Sequence, residues 1–304
     1  MIGPPKYALI LASRTASERQ PADAGEFQRG ARLFREHHQL PTDSVMIYEN
    51  AVADYTEAEL ATMRTNEREG QASRRQMTQL QRDLRRLQVQ RRQGGVANPA
   101  EEARLQTEIA GLQADMDRRG RENQGITGPW STQMRSGDFM RQTRENVLRA
   151  IQHAGREGRV KLDTLVYFGH GLLDALNTAG FYHPRHTPAL ANAIRQVAEP
   201  GIRIVLYACS AGSIGGFASH LHAALADINP QIDGHTSVGH AFQNPDVTRC
   251  GGGLSANGEW LIPRGDPLWR AWYQRMQSTQ DSMWCNFPFM TREQIRASLT
   301  AVNP

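Results

Sequence analysis

Two reactive side chains follow apolar segments in the second half of this 304-residue chain. His170 and Gly171 come directly after LVYFG (165–169), and Cys209 comes directly after IVLYA (204–208). Each apolar run predicts a buried strand, and the stretch between them predicts one helix. Because a strand–helix–strand unit runs its two strands in parallel, both reactive groups would open on the same edge of the sheet, where α/β proteins place their sites.

An imidazole beside a thiol is the arrangement used for nucleophilic acyl transfer. His170 would take the proton of Cys209, and the thiolate would attack a carbonyl carbon. Gly171 would let a substrate approach the main chain closely, so its N–H and that of Cys209 are candidate donors to the oxyanion. A single cysteine or histidine is more often structural, but the pair at matching strand ends is a more specific signal.

The segments VYFGHG (166–171) and VLYACSAG (205–212), in this order along the chain, resemble the caspase-like cysteine peptidases. This group contains caspases, metacaspases, paracaspases and bacterial relatives. The resemblance covers the α/β part of the chain, about residues 1–55 and 136–245. It implies a caspase-like three-layer sandwich with a mostly parallel sheet. It also implies a cysteine endopeptidase that cleaves protein or peptide substrates, and bacterial members of the group often serve in defence or regulated cell death.

Carried over by motif, the resemblance makes His170 the general base and Cys209 the nucleophile. The main-chain N–H groups of Gly171 and Cys209 would form the oxyanion hole. Metacaspases carry an aspartate two residues before the nucleophile, where it helps to bind a basic side chain of the substrate, but this chain has Tyr207 there. The motif around the nucleophile therefore leaves the specificity open.

The loop before the first predicted helix supplies the candidates for the S1 pocket. Asp23 resembles the S1 acid of metacaspases and paracaspases, which favours cleavage after Arg or Lys. Arg19 resembles the S1 arginine of caspases and gives the alternative, cleavage after Asp. Asp23 would also serve a purely structural role by stabilising the positive end of the helix dipole.

The elements that position these residues follow an α/β pattern on both sides of an insertion. We predict strands over 7–13, 44–48, 162–168 and 202–208, and helices over 22–38, 137–153, 187–198 and 213–228. The caspase-like domain would comprise 1–55 and 136–304, and 56–135 would form an inserted antiparallel helical hairpin with its linker. Apolar residues recur three or four positions apart in both predicted hairpin helices: Met77, Leu80, Leu84 and Leu87, then Leu105, Ile109, Leu112 and Met116. Residues 120–128, rich in Gly and Asn, are expected to be a loosely structured exit.

Arginine accounts for 33 of the 35 basic residues, and 13 of these arginines lie between positions 64 and 121 of the insertion. Eight acidic residues are interleaved with them over the same positions. Mixed charge of this kind favours a solvated hairpin over one that docks on nucleic acid. The alternative is a regulatory arm, which a partner protein binds or an activating protease cuts.

Several classes are not expected. No run of 18 apolar residues is present, so we expect no association with a membrane. Three cysteines without a CxxC pair predict neither a disulfide framework nor a zinc site, and the default is a reducing, cytoplasmic setting. His183 and His186 lack an evident third ligand, and we expect no metal and no cofactor. The alternative to an enzyme is a non-catalytic caspase-fold scaffold with an arginine-rich arm.

The last third of the chain offers weaker signals. The segment GHTSVGH (234–240) resembles a later strand of bacterial caspase-like proteins and would border the substrate groove. Cys250 has no nearby histidine motif and is predicted to be a bystander. The aromatic residues near the C-terminus are expected to pack a helix onto the body rather than to form an exposed partner site: Trp269, Trp272, Tyr273 and Trp284.

Overall fold

The computed structural model describes residues 5–14, 26–49, 56–94, 98–134, 137–157, 161–238, 243–278 and 283–301. The strands are β1 (Ala8–Arg14), β2 (Val45–Glu49), β3 (Leu162–Phe168), β4 (Ala198–Tyr207), β5 (Gln231–His235), β6 (Val247–Cys250) and β7 (Glu259–Trp260). The α-helices are α1 (Glu26–His37), α2 (Glu57–Arg92), α3 (Pro99–Met134), α4 (Gly137–Glu157), α5 (Thr187–Val197), α6 (Phe217–Ala224), α7 (Trp269–Gln277), α8 (Met283–Asn286) and α9 (Arg292–Thr300). The chain divides into two compact units, one of Met1–Val52 with Gly137–Pro304 and one of Ala53–Ser136.

The strands of the first unit form one sheet in the order β2-β1-β3-β4-β5-β6-β7. Strands β2, β1, β3, β4 and β5 pair in parallel, whereas β6 and β7 are antiparallel to their neighbours. The predicted α/β class with a mostly parallel sheet is confirmed. No helix in the described residues is both long and apolar enough to cross a membrane.

Helices cover both faces of this sheet. Along β3, Leu165 and Tyr167 pack on one face and Val166 and Phe168 on the other, and all four are buried. The first face packs against α4, α5 and α6, and the second against α1, α7, α8 and α9. Burial on both faces explains why β3 ends in four consecutive apolar residues, LVYF (165–168), rather than in an alternating pattern.

Two predicted bounds differ from the structure around the second motif. Strand β4 begins at Ala198 rather than Ile202, because Ala198 pairs with Leu162 across a register shift that the sequence gives no sign of. The helix predicted from residue 213 begins only at Phe217. The residues before it form a turn in which Gly215 has a φ of +70°, a value that favours glycine.

The second unit is a pair of antiparallel helices, as the repeated apolar positions predict. Near the connecting turn Arg91 pairs with Glu102 at 3.2 Å. Toward the other end the side-chain amide of Asn66 donates to Asn123 at 2.9 Å. A capping box at Thr56 begins α2, and these paired ends fix the register of the two helices.

The expected loose exit at 120–128 is wrong, since α3 continues as a helix to Met134. Glycine costs about 1 kcal/mol at each helical position. Within the same stretch, however, Glu122 accepts a hydrogen bond from Asn66 at 3.0 Å and lies 3.9 Å from Arg118 one turn earlier. Hydrogen bonds from Asn66 of α2 therefore support α3 within this glycine-containing stretch.

Candidate active site

The ends of β3 and β4 bring the two reactive residues to one place. The strands are adjacent, and Phe168 lies opposite Tyr207 in the register. Beyond the strands, the N–H of Gly169 donates to the carbonyl of Tyr207 at 3.3 Å. His170 and Cys209 each follow the paired residues by two positions, so they occupy equivalent places at the carboxyl edge of the sheet.

Gly171 brings the loop after β3 into direct contact with the turn after β4. A Cβ atom added at Gly171 would lie 2.8 Å from the Cβ of Ala208 and 2.8 Å from the carbonyl oxygen of Cys209. Real side chains do not tolerate this separation, so only glycine fits without movement. Within the described part of the chain, the N–H of Gly171 donates no hydrogen bond, as a donor reserved for an oxyanion requires.

Two buried hydroxyl groups hold the main chain of His170. Its N–H donates to Oγ1 of Thr178 at 3.1 Å, and its carbonyl accepts from the hydroxyl of Tyr167 at 3.0 Å. The two hydroxyls lie 2.7 Å apart. One proton arrangement satisfies all three bonds: His170 N–H donates to Thr178, Thr178 to Tyr167, and Tyr167 to His170. The loop is therefore fixed on both sides of the histidine Cα atom.

The imidazole of His170 is exposed, but one edge is supported. Its ring lies 4.9 Å from that of Phe27, at an interplanar angle of 89°. Phe27 is in the first turn of α1 and only 5% exposed. This edge-to-face contact restricts the ring and leaves it accessible from solvent.

The turn after Cys209 is docked on the end of β5. Ser210 has a φ of +57°, an uncommon value for a residue with a side chain. Its N–H donates to the carbonyl of Ser237 at 3.3 Å, and the N–H of Gly212 donates to His235 at 2.8 Å. Backbone in such a sparsely populated conformation persists only where the surroundings fix it, and it is found frequently at active sites.

Burial distinguishes the three cysteines. Cys250 and Cys285 are each 1% exposed, whereas Cys209 is partly accessible. Burial raises the pKa of the Cys250 thiol to about 12 and that of Cys285 well above its ordinary value. Both buried thiols are therefore unsuited to nucleophilic chemistry near neutral pH.

Comparison with protein-family models, with curated proteins and with solved structures gave no match. The resemblance to caspase-like peptidases therefore rests on the two motifs alone.

Tyr207, which stands where metacaspases have an aspartate, belongs to the core. It is fully buried, stacks on Phe168 at 4.4 Å and donates its hydroxyl to the carbonyl of Trp284 at 2.9 Å. Burial raises its pKa well above the ordinary value. The phenol is committed to the face of the sheet covered by α8 and supplies no recognition group for a basic substrate.

The two S1 candidates, Asp23 and Arg19, lie outside the described residues. The segment expected to border the groove is partly described, and β5 ends within it at His235. Beyond that strand, Ser237 and Val238 line a cavity of 580 Å³.

Sequence patterns do not reveal three residues around the site: Thr178, Asp246 and Arg264. Thr178 follows the histidine by eight positions in a loop without periodicity. Asp246 is preceded only by an Asn-Pro turn signal, and its arginine partner is 18 positions away.

Proposed function

We propose that the protein is a caspase-like cysteine endopeptidase that cleaves protein substrates through a Cys209–His170 dyad. The observation that carries the proposal is the pairing of two strand ends: Phe168 and Tyr207, the last residues of β3 and β4, lie in register, and Gly171 packs against the carbonyl of Cys209. The accessible thiol, the exposed imidazole and the unengaged N–H of Gly171 stand at this one junction.

The reaction would proceed by acyl transfer. His170 takes the thiol proton, and the sulfur of Cys209 bonds to the carbonyl carbon of the scissile peptide. The resulting oxyanion receives hydrogen bonds from the N–H groups of Gly171 and Cys209. The imidazolium gives its proton to the departing amine as the C–N bond breaks, which leaves a thioester. His170 then deprotonates a water molecule, whose oxygen attacks the thioester carbon. Return of that proton to the departing sulfur frees the acid product and the thiol.

We propose Arg or Lys as the residue before the scissile bond, with Asp23 as its partner in the S1 pocket. Cleavage after Asp, with Arg19 as the partner, is the alternative. Tyr207 supports neither choice, because its hydroxyl is bonded inside the core. A cytoplasmic, reducing setting, favoured by the low cysteine content, belongs to the same proposal. A role in bacterial defence belongs to it through the resemblance alone.

The hairpin of α2 and α3 is proposed as a solvated or regulatory arm rather than a nucleic-acid interface. Among the described side chains, five of its arginines pair with acids of the hairpin, for example Arg104 with Glu101 and Glu108, and Arg118 with Asp115. Pairs of this kind neutralise the charge that phosphate groups would need. Cleavage or binding of this arm by another protein would then be the route by which it affects the peptidase.

A panel of fluorogenic peptides that differ in the residue before the scissile bond tests the proposal. The parent should cleave them, and Cys209→Ala should lose at least about a thousandfold in kcat/KM. Cys250→Ala is the matched control, since it removes a buried thiol and should retain activity once its folding is verified by thermal melting. Cleavage that survives Cys209→Ala would overturn the dyad. Turnover after Asp but not after Arg would reverse the S1 assignment, and peptide binding without turnover would favour the scaffold.

A further inference from the structure

The 580 Å³ cavity beside the Cys209 turn has the features of a built binding site. Ser237 forms part of its wall and accepts the hydrogen bond from the N–H of Ser210, the residue that follows Cys209. Trp269 and Tyr273 of α7 also line the cavity. The cavity therefore lies directly beside the turn that carries Cys209.

Asp246 lies inside the cavity wall with its carboxylate fully engaged. Its side chain is only 4% exposed, and Oδ2 lies 2.6 Å from Nη2 of Arg264. Nε of Arg264 donates to Oδ1 at 3.3 Å, and the hydroxyl of Ser237 donates to Oδ2 at 2.7 Å. Although burial acts to raise the pKa of this carboxyl, the hydrogen bonds from Arg264 and Ser237 hold it below its ordinary value. Asp246 is thus an internal anion that fixes other groups.

Arg264 is the group that this anion fixes. Its side chain remains 69% exposed, although Nε and Nη2 are bonded to Asp246. Its guanidinium carbon lies 5.9 Å from the centre of the Trp269 ring, and the centres of the Trp269 and Tyr273 rings are 6.4 Å apart. Of the described residues, none accepts a hydrogen bond from Nη1 of Arg264. The cavity therefore presents a positioned cation against an aromatic wall.

We propose that this cavity is a substrate subsite that binds the carboxylate of an Asp or Glu side chain close to the scissile bond. This inference rests on the proposed peptidase function. A guanidinium held by an internal carboxylate is set in place before the ligand arrives, and its planar edge matches a carboxylate. A substrate arginine would instead meet the like charge of Arg264, while Asp246 is already bonded. The cavity is thus separate from a pocket for a basic residue and adds an acidic requirement to the substrate.

Labelled octapeptides with Arg at the cleaved position and alanine elsewhere test the inference. Each of the three positions before this Arg and the two after the scissile bond is occupied in turn by Glu or by Gln. Binding is measured by fluorescence anisotropy on the Cys209→Ala protein, so that the result does not depend on turnover. At one position the Glu peptide should bind about tenfold more tightly than its Gln counterpart, the size expected of a hydrogen bond between charged groups.

Variants of Arg264 in the same background assign the effect. Arg264→Gln should abolish the Glu preference, and Arg264→Lys, which keeps the charge but loses the fork, should retain part of it. The matched control is Arg195→Gln, because Arg195 also binds an aspartate, Asp227, through Nε and Nη2. This control should keep the full preference, and thermal melting checks that each variant is folded.

Three results would overturn the inference. The first is equal binding of every Glu and Gln pair, including no measurable binding of either. The second is a Glu preference that persists in Arg264→Gln, and the third is tighter binding of the Gln peptide at every scanned position. The peptidase proposal fails separately, if the protein with Cys209 intact cleaves neither these peptides nor their counterparts with Asp at the cleaved position while the anisotropy preference is present.

Discussion

Thr178→Val is the change that examines how the candidate general base is held. Valine has nearly the shape of threonine, so the change removes one hydroxyl that accepts from His170 at 3.1 Å and lies 2.7 Å from the Tyr167 hydroxyl. The N–H of His170 is then left without its acceptor, which costs about 1–3 kcal/mol. For a domain of this size each kcal/mol lowers Tm by about 2–4 °C, so we expect a Tm about 2–12 °C below that of the parent. Displacement of the imidazole should lower kcat/KM between about tenfold and a hundredfold.

Thr143→Val is the matched control for that experiment. Thr143 is also buried, at 1% exposure, but its hydroxyl has no hydrogen-bond partner in the part of the chain that the structure describes. Its loss should leave Tm equal to that of the parent or slightly higher, and kcat/KM unchanged. Amide hydrogen exchange of a peptide spanning 165–172 gives a readout that needs no substrate, and it should accelerate in Thr178→Val alone. If Thr178→Val has the Tm and exchange rate of the control, the hydrogen bonds of the Thr178 and Tyr167 hydroxyls do not position His170.

Three further outcomes follow from burial and close contact. Iodoacetamide at pH 7.5 should modify Cys209 in the native protein, whereas the other two cysteines, each 1% exposed, should react only after unfolding. Peptide mass spectrometry measures the labelling of each cysteine, and equal labelling of all three in the native protein would contradict the prediction. Gly171→Ala should lower kcat/KM at least about a hundredfold, because its Cβ would stand 2.8 Å from the Cβ of Ala208, whereas Gly265→Ala, with no atom within 4 Å, should match the parent. Burial lowers the pKa of His38 to about 4 from 6.5, so between these pH values the unfolded state binds more protons, and stability should fall as pH falls from 6.5 to 4. His38→Gln should flatten the plot of Tm against pH over this range, and parallel plots for parent and variant would refute the role given to His38.

The sheet interior could be predicted from sequence because its signals are local. The segment LDTLVYF, with its apolar run over 165–168, predicted β3 with the observed bounds, Leu162–Phe168. The failures have non-local causes. The first residues of β4 pair with β3 beyond a register shift, and the stretch 120–128 is helical because Glu122 bonds to Asn66, 56 positions away. Composition alone indicates a loop in both places, and tertiary pairing overrides it.

The residues of the candidate site also fall into those with a local sequence signal and those without one. His170 and Cys209 were identifiable because each is adjacent in sequence to the strand that places it, and parallel strands share an edge. Thr178 and Arg264 act across loops, and no spacing rule connects them to the residues that they bind. Such supporting side chains are recognisable only by their distance from the reactive group in the folded structure. Their residue types, threonine and arginine, are common elsewhere in the chain and give no signal in the sequence.

Ser237 makes hydrogen bonds both to the turn that carries Cys209 and to the wall of the adjacent cavity. Its carbonyl accepts from the N–H of Ser210 at 3.3 Å, and its hydroxyl donates to Asp246 at 2.7 Å. The same carboxylate fixes Arg264, so the group proposed to bind substrate and the turn that presents Cys209 are linked through one residue. A substrate carboxylate bound at Arg264 should therefore affect the position of the Cys209 turn as well as the affinity for the substrate. Differences between matched Glu and Gln peptides should accordingly extend to kcat and not be confined to KM.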